Sequence, residues 1–103
     1  MRRAGAALVG NTRTSELGFG LYGDCSGKAL AEGLADIVLM TDTLGEARVA
    51  AALAGLCGFK PSWGRISRFG LIGLVPSMES CGMMAGNPRD IRVGFEAIEG
   101  IDD

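Results

Sequence analysis

The residues best placed to do chemistry in this chain are 41–48, TDTLGEAR. An apolar run ends there in small residues and passes into an alanine-rich stretch, the order of a strand, a turn and a helix. Such a turn gathers several backbone N–H groups in one place, which is how an oxyanion hole is built, and a nucleophile at the helix start stands beside it. Acyl chemistry asks for Ser, Thr or Cys at that start. The sequence offers Glu46.

The rest of the chemical inventory is thin. The chain contains no histidine, which removes Ser-His-Asp and Cys-His catalysis and the commonest metal ligand. Cys25, Cys57 and Cys81 are odd in number and widely spaced, with no CxxC pair, and fit reduced thiols in a cytoplasmic setting. The same spacing is poor for zinc, so no metal is expected. GFGLYG at 18–23 matches GxGxxG, but polar RTSEL precedes it and nothing helical follows at once, so the dinucleotide geometry is missing. GDCSGKA at 23–29 falls one residue short of a P-loop and has Ala29 where the magnesium hydroxyl belongs. No cofactor is expected. KPSWGRISRF at 60–69 sets Lys60, Arg65 and Arg68 between Trp63 and Phe69, a pattern that can stack and neutralise single-stranded nucleic acid. The favoured reading is a surface loop whose aromatics plug into the core.

Composition narrows the class further. A net charge of −2 gives no bulk attraction to nucleic acid or anionic membrane, and no apolar run approaches the roughly 20 residues of a membrane span. Seventeen glycines in 103 residues, about twice the usual share, point to tight turns and close contacts rather than a thick core. The chain is long enough for one small domain, 1–103.

These positions need elements to hold them. AGAALVG at 4–10 reads as a buried strand rather than a leader, and ADIVLMT at 35–41 as the best strand. Ser26 is expected to cap a short helix over GKALAEG that Gly33 ends, and Gly58 to stop an alanine-rich helix over 45–56. Residues 64–77 hold short strand-like pieces between glycines. Asn87 as cap, Pro88 in the first turn and Asp90 answering the cap predict a last helix, with Ile91, Phe95 and Ile98 on one face and Gly100 closing it. Strands alternating with helices predict an α/β layered fold with a mixed, partly parallel sheet.

MTDTLGEARVAAALAGLCGFKPSWGRISRFGL at 40–71 resembles, without a gap, the signature of the amidase signature family, whose pattern runs G-T-D-T-G-G-S-I-R and then G-L-K-P-T-Y-G-R-V-S-R-Y-G-L. The resemblance extends upstream, where GAALVGNTRTSELGFG is similar to G-A-x-x-x-G-K-T-N-M-D-E-F-A-M-G. It extends downstream, where PSMESCGMMAGNPRDIRVGFEAIEGID is similar to a segment beginning S-S-L-D-x-x-G-P. It implies a fragment of an α/β/α layered fold related to amide hydrolysis and to the A subunit of glutamyl-tRNA(Gln) amidotransferase.

Family members use a serine nucleophile, a second serine on a cis peptide bond, and a lysine that starts the proton relay. The resemblance places the nucleophile at Glu46. It places the second serine at Tyr22 without gaps, or at Ser26 if Cys25-Ser26-Gly27 stands for S-S-G. The lysine belongs to a segment upstream of this chain's start, and neither Lys28 nor Lys60 matches it. Thr43, Leu44 and Gly45 correspond to the oxyanion loop, and Asp42 and Arg48 to an Asp and an Arg of the signature, expected to brace the turn as an ion pair. The reading is a truncated, inactive relative. Two alternatives remain open at this point: residual amidase activity inside a larger assembly, and a nucleic-acid or protein-binding module. A piece of so large a domain would expose sheet edges, which predicts a homo-oligomer or a protein partner, with nucleic acid disfavoured.

Overall fold

The computed structural model describes residues 1–22 and 25–100. Gly23, shared by the GFGLYG and GDCSGKA motifs, lies outside the described residues, as do Asp24 and residues 101–103. In chain order the elements are α1 (Ser26–Ala31), β1 (Ile37–Asp42), α2 (Glu46–Leu53), β2 (Cys57–Phe59), β3 (Ser80–Ala85) and α3 (Pro88–Glu96), preceded by single 3-10 turns at Arg2–Ala4 and Glu16–Gly18.

β3 is the middle of a three-stranded sheet ordered β1-β3-β2. Both pairings are antiparallel, with Asp42 opposite Ser80 on one side and Cys57 opposite Ala85 on the other. The partly parallel sheet anticipated from the alternation of strands and helices is therefore absent among the described residues. The chain reverses through the long 60–79 loop, so β3 returns between its two predecessors in the opposite direction.

Alternation along β3 builds two cores. Met84 faces Val38, Ala47, Ala50 and Ala51, with Leu30 of α1 at the margin. Its neighbour Met83 faces the other way, into Ile66, Ala85 and Ile91, with Phe59 and Phe95 packed against them. Helices α1 and α2 thus cover one face and α3 the other, giving an α/β/α layering on a small scale. Burying each methionine completely is worth about 1.5–3 kcal/mol.

Helix α3 follows its starting signals closely, but it ends at Glu96 with Ala97 as its cap, short of the stop expected at Gly100. The Asn87 side chain accepts from the Asp90 N–H at 3.0 Å and donates to the Asp90 carboxylate at 2.7 Å, with Pro88 in the first turn. An Asn87→Ala variant is expected to lose about 1 kcal/mol. Urea unfolding monitored at 222 nm reads this directly, and a change below a few tenths would show that the cap is dispensable.

Four other local expectations fail. Residues 4–10 are no strand: the chain turns at Arg2–Ala4, passes Gly5 with φ of 87°, and then runs extended and exposed without ladder partners. A cleft of about 920 Å³ is lined by both this segment and Ile37–Leu39 of β1, and no ladder joins the two. Ser26 is the first residue of α1 rather than its cap, because Cys25 takes the cap position and the Ser26 hydroxyl turns to Thr12. Helix α2 stops short of Gly58, in a turn completed by Gly55 at φ of 69°. Residues 64–77 contribute one isolated bridge, Ile66 to Glu99, and no strand.

Candidate functional site

β1 delivers Asp42 to the end of the sheet, and the turn 43–45 reverses the backbone into α2. Gly45 makes that reversal possible, with φ of 138°, a conformation that side chains resist. Three consecutive amides then converge. The N–H groups of Thr43, Leu44 and Gly45 donate to one atom, Oε2 of Glu46, at 2.7, 2.9 and 3.1 Å. Glu46 is 3% exposed. Burial is the largest influence on its carboxyl and would raise the pKa. Hydrogen bonds from its own N–H and those of Thr43, Leu44 and Gly45 together outweigh it and hold the group below the usual carboxylate range. The favourable end of the α2 dipole acts in the same direction.

Asp42 is buried beneath this turn. Its carboxylate takes a two-pronged contact from Arg48, Nε to Oδ2 at 3.0 Å and Nη2 to Oδ1 at 2.9 Å, and Lys60 Nζ lies 3.5 Å away. Burial again pushes the pKa up. The Arg48 hydrogen bond and charge, the Arg48 backbone N–H and the Lys60 charge bring it below its ordinary value. Lys60 donates further to the carbonyls of Thr43 and Met78, each at 2.7 Å. It therefore ties the 60–79 loop to the Glu46 turn. Sequence reasoning placed Lys60 only in a basic patch; its bracing role depends on contacts 17 and 18 residues distant, which no local pattern reports.

Both carboxyls titrate lower in the folded chain than in the unfolded one, where about 3.9 and 4.3 are usual. Their contribution to stability is then complete above roughly pH 5 and is lost as the pH falls through the folded values. The urea midpoint should be flat from pH 7 to 5 and drop by pH 3, with a shallower drop in Glu46→Gln. A midpoint that rises on acidification would contradict this.

The other singled-out residues do not join Glu46. Tyr22 is exposed. Ser26 is buried with its hydroxyl 2.8 Å from that of Thr12, and it begins a helix that packs on Ala50 and Ala54, toward the far end of α2 from Glu46. Lys28 pairs with Glu32 on the surface. In the 60–69 patch the aromatics do not enter the core: Trp63 is exposed and Phe69 is 97% exposed. Trp63 instead donates its indole N–H to the Pro76 carbonyl and lies under the Arg68 guanidinium, which also donates to Pro76, while Arg65 pairs with Glu99. Arg68 is thus engaged within the loop, and Arg65 by Glu99 beyond α3 and by the Phe95 ring of α3, 5.5 Å from its guanidinium. Among the described residues no three His, Cys, Asp or Glu side chains gather as a metal site, and no helix is long and apolar enough to cross a membrane.

A strand, a tight turn and a helix that point three amides at one position make an anion hole, here filled by the chain's own carboxylate. The family model for amidases matches residues 25–103. The A subunit of the glutamyl-tRNA(Gln) amidotransferase of Methanospirillum hungatei is 36% identical over 124 aligned residues, covering 99% of this chain and 29% of the relative. Its counterpart in Sulfurisphaera tokodaii is 46% identical over 77 residues, 75% of this chain and 16% of the relative. That of Thermus thermophilus is 35% identical over 124 residues, 99% and 26%. The chain spans less than a third of the length of these curated relatives. By the extent of the matched region and these identities, the chain belongs to the amidase family.

Proposed function

We propose that this chain is an amidase-family scaffold that does not hydrolyse amides by itself, because the position of the attacking group is occupied by a capping carboxylate. One observation carries the reading: Glu46 Oε2 accepts all three converging N–H groups of the turn. An amide carbonyl developing negative charge would need those same donors. A fixed anion there both fills the hole and repels the charge the hole would stabilise. Carboxylates do act as nucleophiles or bases elsewhere, but they need a tuned pKa and a proton donor beside them. Glu46 is held ionised, and the nearest lysine described, Lys60, is committed to Asp42 and two carbonyls.

A sensitive ester and amide turnover assay on the 103-residue chain, with Glu46→Ser and Glu46→Ala beside it, tests this. All three are expected to stay at the buffer rate, since a serine at 46 still has no proton relay among Lys28, Lys60, Tyr22 and Ser26. Turnover by the unaltered chain that Glu46→Ala abolishes would reverse the conclusion.

The second element of the proposal is a protein partner. The relatives are named as one component of a larger enzyme, and this chain leaves Phe69 at 97% and Ile72 at 96% exposure, together with the outer edge of β1. A second copy of the chain or another polypeptide covering these surfaces is the expected arrangement. Light scattering behind size exclusion is expected to give a mass above 10.7 kDa or a poorly folded chain. A compact, cooperatively melting monomer would remove the need for a partner.

A further inference from the structure

The cleft of about 920 Å³ that residues 6–12 and β1 both line takes no part in the Glu46 turn. Three consecutive residues of β1, Ile37, Val38 and Leu39, reach it. Side chains alternate along a strand, and here Ile37 packs with the Met83 core while Val38 packs with the Met84 core on the opposite face. A space that meets all three therefore runs along an edge of the strand, where the backbone is. One edge of β1 carries β3, and no residue of β3 lines the cleft, so this is the outer edge. No strand pairs with that edge among the described residues. Seven consecutive residues, 6–12, form another stretch of the wall, and 7–12 make no backbone hydrogen bond among the described residues. Two runs of unpaired backbone thus border one space.

The walls define what would fit. Leu8, Val9, Leu34 and Leu39 line the cleft and are exposed, so its occupant is apolar. Arg2 is the charged side chain of the wall, it forms no ion pair among the described residues, and no acidic residue lines the cleft. The volume belongs with clefts that enclose a ligand, roughly 300–1,000 Å³, and not with surfaces that seat a folded domain. An edge strand of a second copy arrives with its own sheet on one side, which suits poorly a space where residues 6–12 also stand. A free extended segment has both edges available and answers unpaired backbone on either wall. We infer that this cleft is an acceptor site for one extended segment of another polypeptide, apolar along its length and acidic at one end. This names what covers the outer edge of β1, and in that respect it rests on the partner reading above.

The test is fluorescence anisotropy of a fluorescein-labelled peptide, Thr-Val-Val-Val-Thr with glutamate added at one end or the other, titrated with the 103-residue chain. One of the two glutamate peptides is expected to saturate with a Kd of about 100 μM or tighter. It should bind at least about threefold better than the same peptide with lysine in that place. N-methylation of its alternate amides removes backbone donors and keeps the side chains, and should weaken binding roughly tenfold or more. Val9→Asp, at an exposed position of the wall, should weaken it about fivefold. No saturation below the millimolar range would overturn the inference. So would a methylated peptide that binds like its parent, since apolar adhesion alone would then suffice, a lysine peptide that matches the glutamate one, or a Val9→Asp chain that binds unchanged. If the peptide displaces one copy of the chain from another in light scattering, the occupant is a second copy and the inference falls. A stable monomer that takes up the peptide would remove only the need for a covering protein, whereas an assembly that ignores it would remove only the strand site.

Discussion

Asp42→Ala is expected to lower the unfolding free energy by about 3 kcal/mol, the low end for a broken buried pair because Arg48 is half exposed to water. The carboxylate is fully buried and takes Arg48 Nε, Arg48 Nη2 and the Lys60 charge at once, so its loss strands two cations at the base of one turn. In a domain of this size the whole stability is commonly about 5–15 kcal/mol. Asp42→Asn, which keeps the shape and loses the charge, should cost about half as much. Because Glu46 caps the turn that Asp42 supports, the two sites should be coupled. An Asp42→Ala/Glu46→Ala double variant is expected to lose less than the sum of the single losses, by at least about 0.5 kcal/mol. Chemical denaturation of the parent and these variants measures all of this. An Asp42→Ala variant within about 0.5 kcal/mol of the parent would mean that the pair is only surface decoration.

The second large effect concerns Gly58. It sits in the short strand β2, directly under α2, where an added Cβ would lie 2.8 Å from Ala51 Cβ, 2.8 Å from Arg48 Cα and 3.1 Å from the Ala47 carbonyl oxygen. Two of those three atoms belong to helix backbone, which cannot rotate out of the way. Gly58→Ala is therefore expected to cost about 3 kcal/mol, the upper end of ordinary overpacking. Gly82 on β3 meets Ala47 in the same manner, at 2.8 Å. The alanines of α2 and these glycines are thus two halves of one close contact. Adding Ala51→Gly to Gly58→Ala should recover part of the loss, although not the part owed to the Arg48 backbone. No recovery at all, or a Gly58→Ala variant that melts with the parent, would separate the glycine from the helix.

The same contacts show which features a linear reading could reach. Helix α3 was legible because Asn87, Pro88 and Asp90 act on neighbours within one turn, and the strand–turn–helix order around Glu46 was legible for the same reason. The inward bend of the Glu46 side chain onto its own turn spans only one to three residues, so the spacing contained it, although only geometry assigns all three amides to one oxygen. β3 was not legible. Its residues Ser80–Ala85, SCGMMA, carry neither β-branched residues nor an apolar-polar alternation, and they form a strand because β1 and β2 flank them. The opposite error occurred at 4–10, where apolar residues suited a strand but no strand pairs with them among the described residues. Trp63 and Phe69 misled in another way. Their size argued for burial, whereas Trp63 finds its partners in Arg68 and Pro76 at the surface and Phe69 is left almost wholly in water.

The position of β3 in the sheet has a consequence for synthesis. The strand that joins the other two is the last of the three to leave the ribosome, and β1 and β2 have no ladder between them. Until Met84 emerges, helix α2 lacks the side chain that it lies on. Nascent chains halted before Ser80 should therefore remain open to protease, and acquire resistance abruptly, not gradually, once the final strand is free to insert.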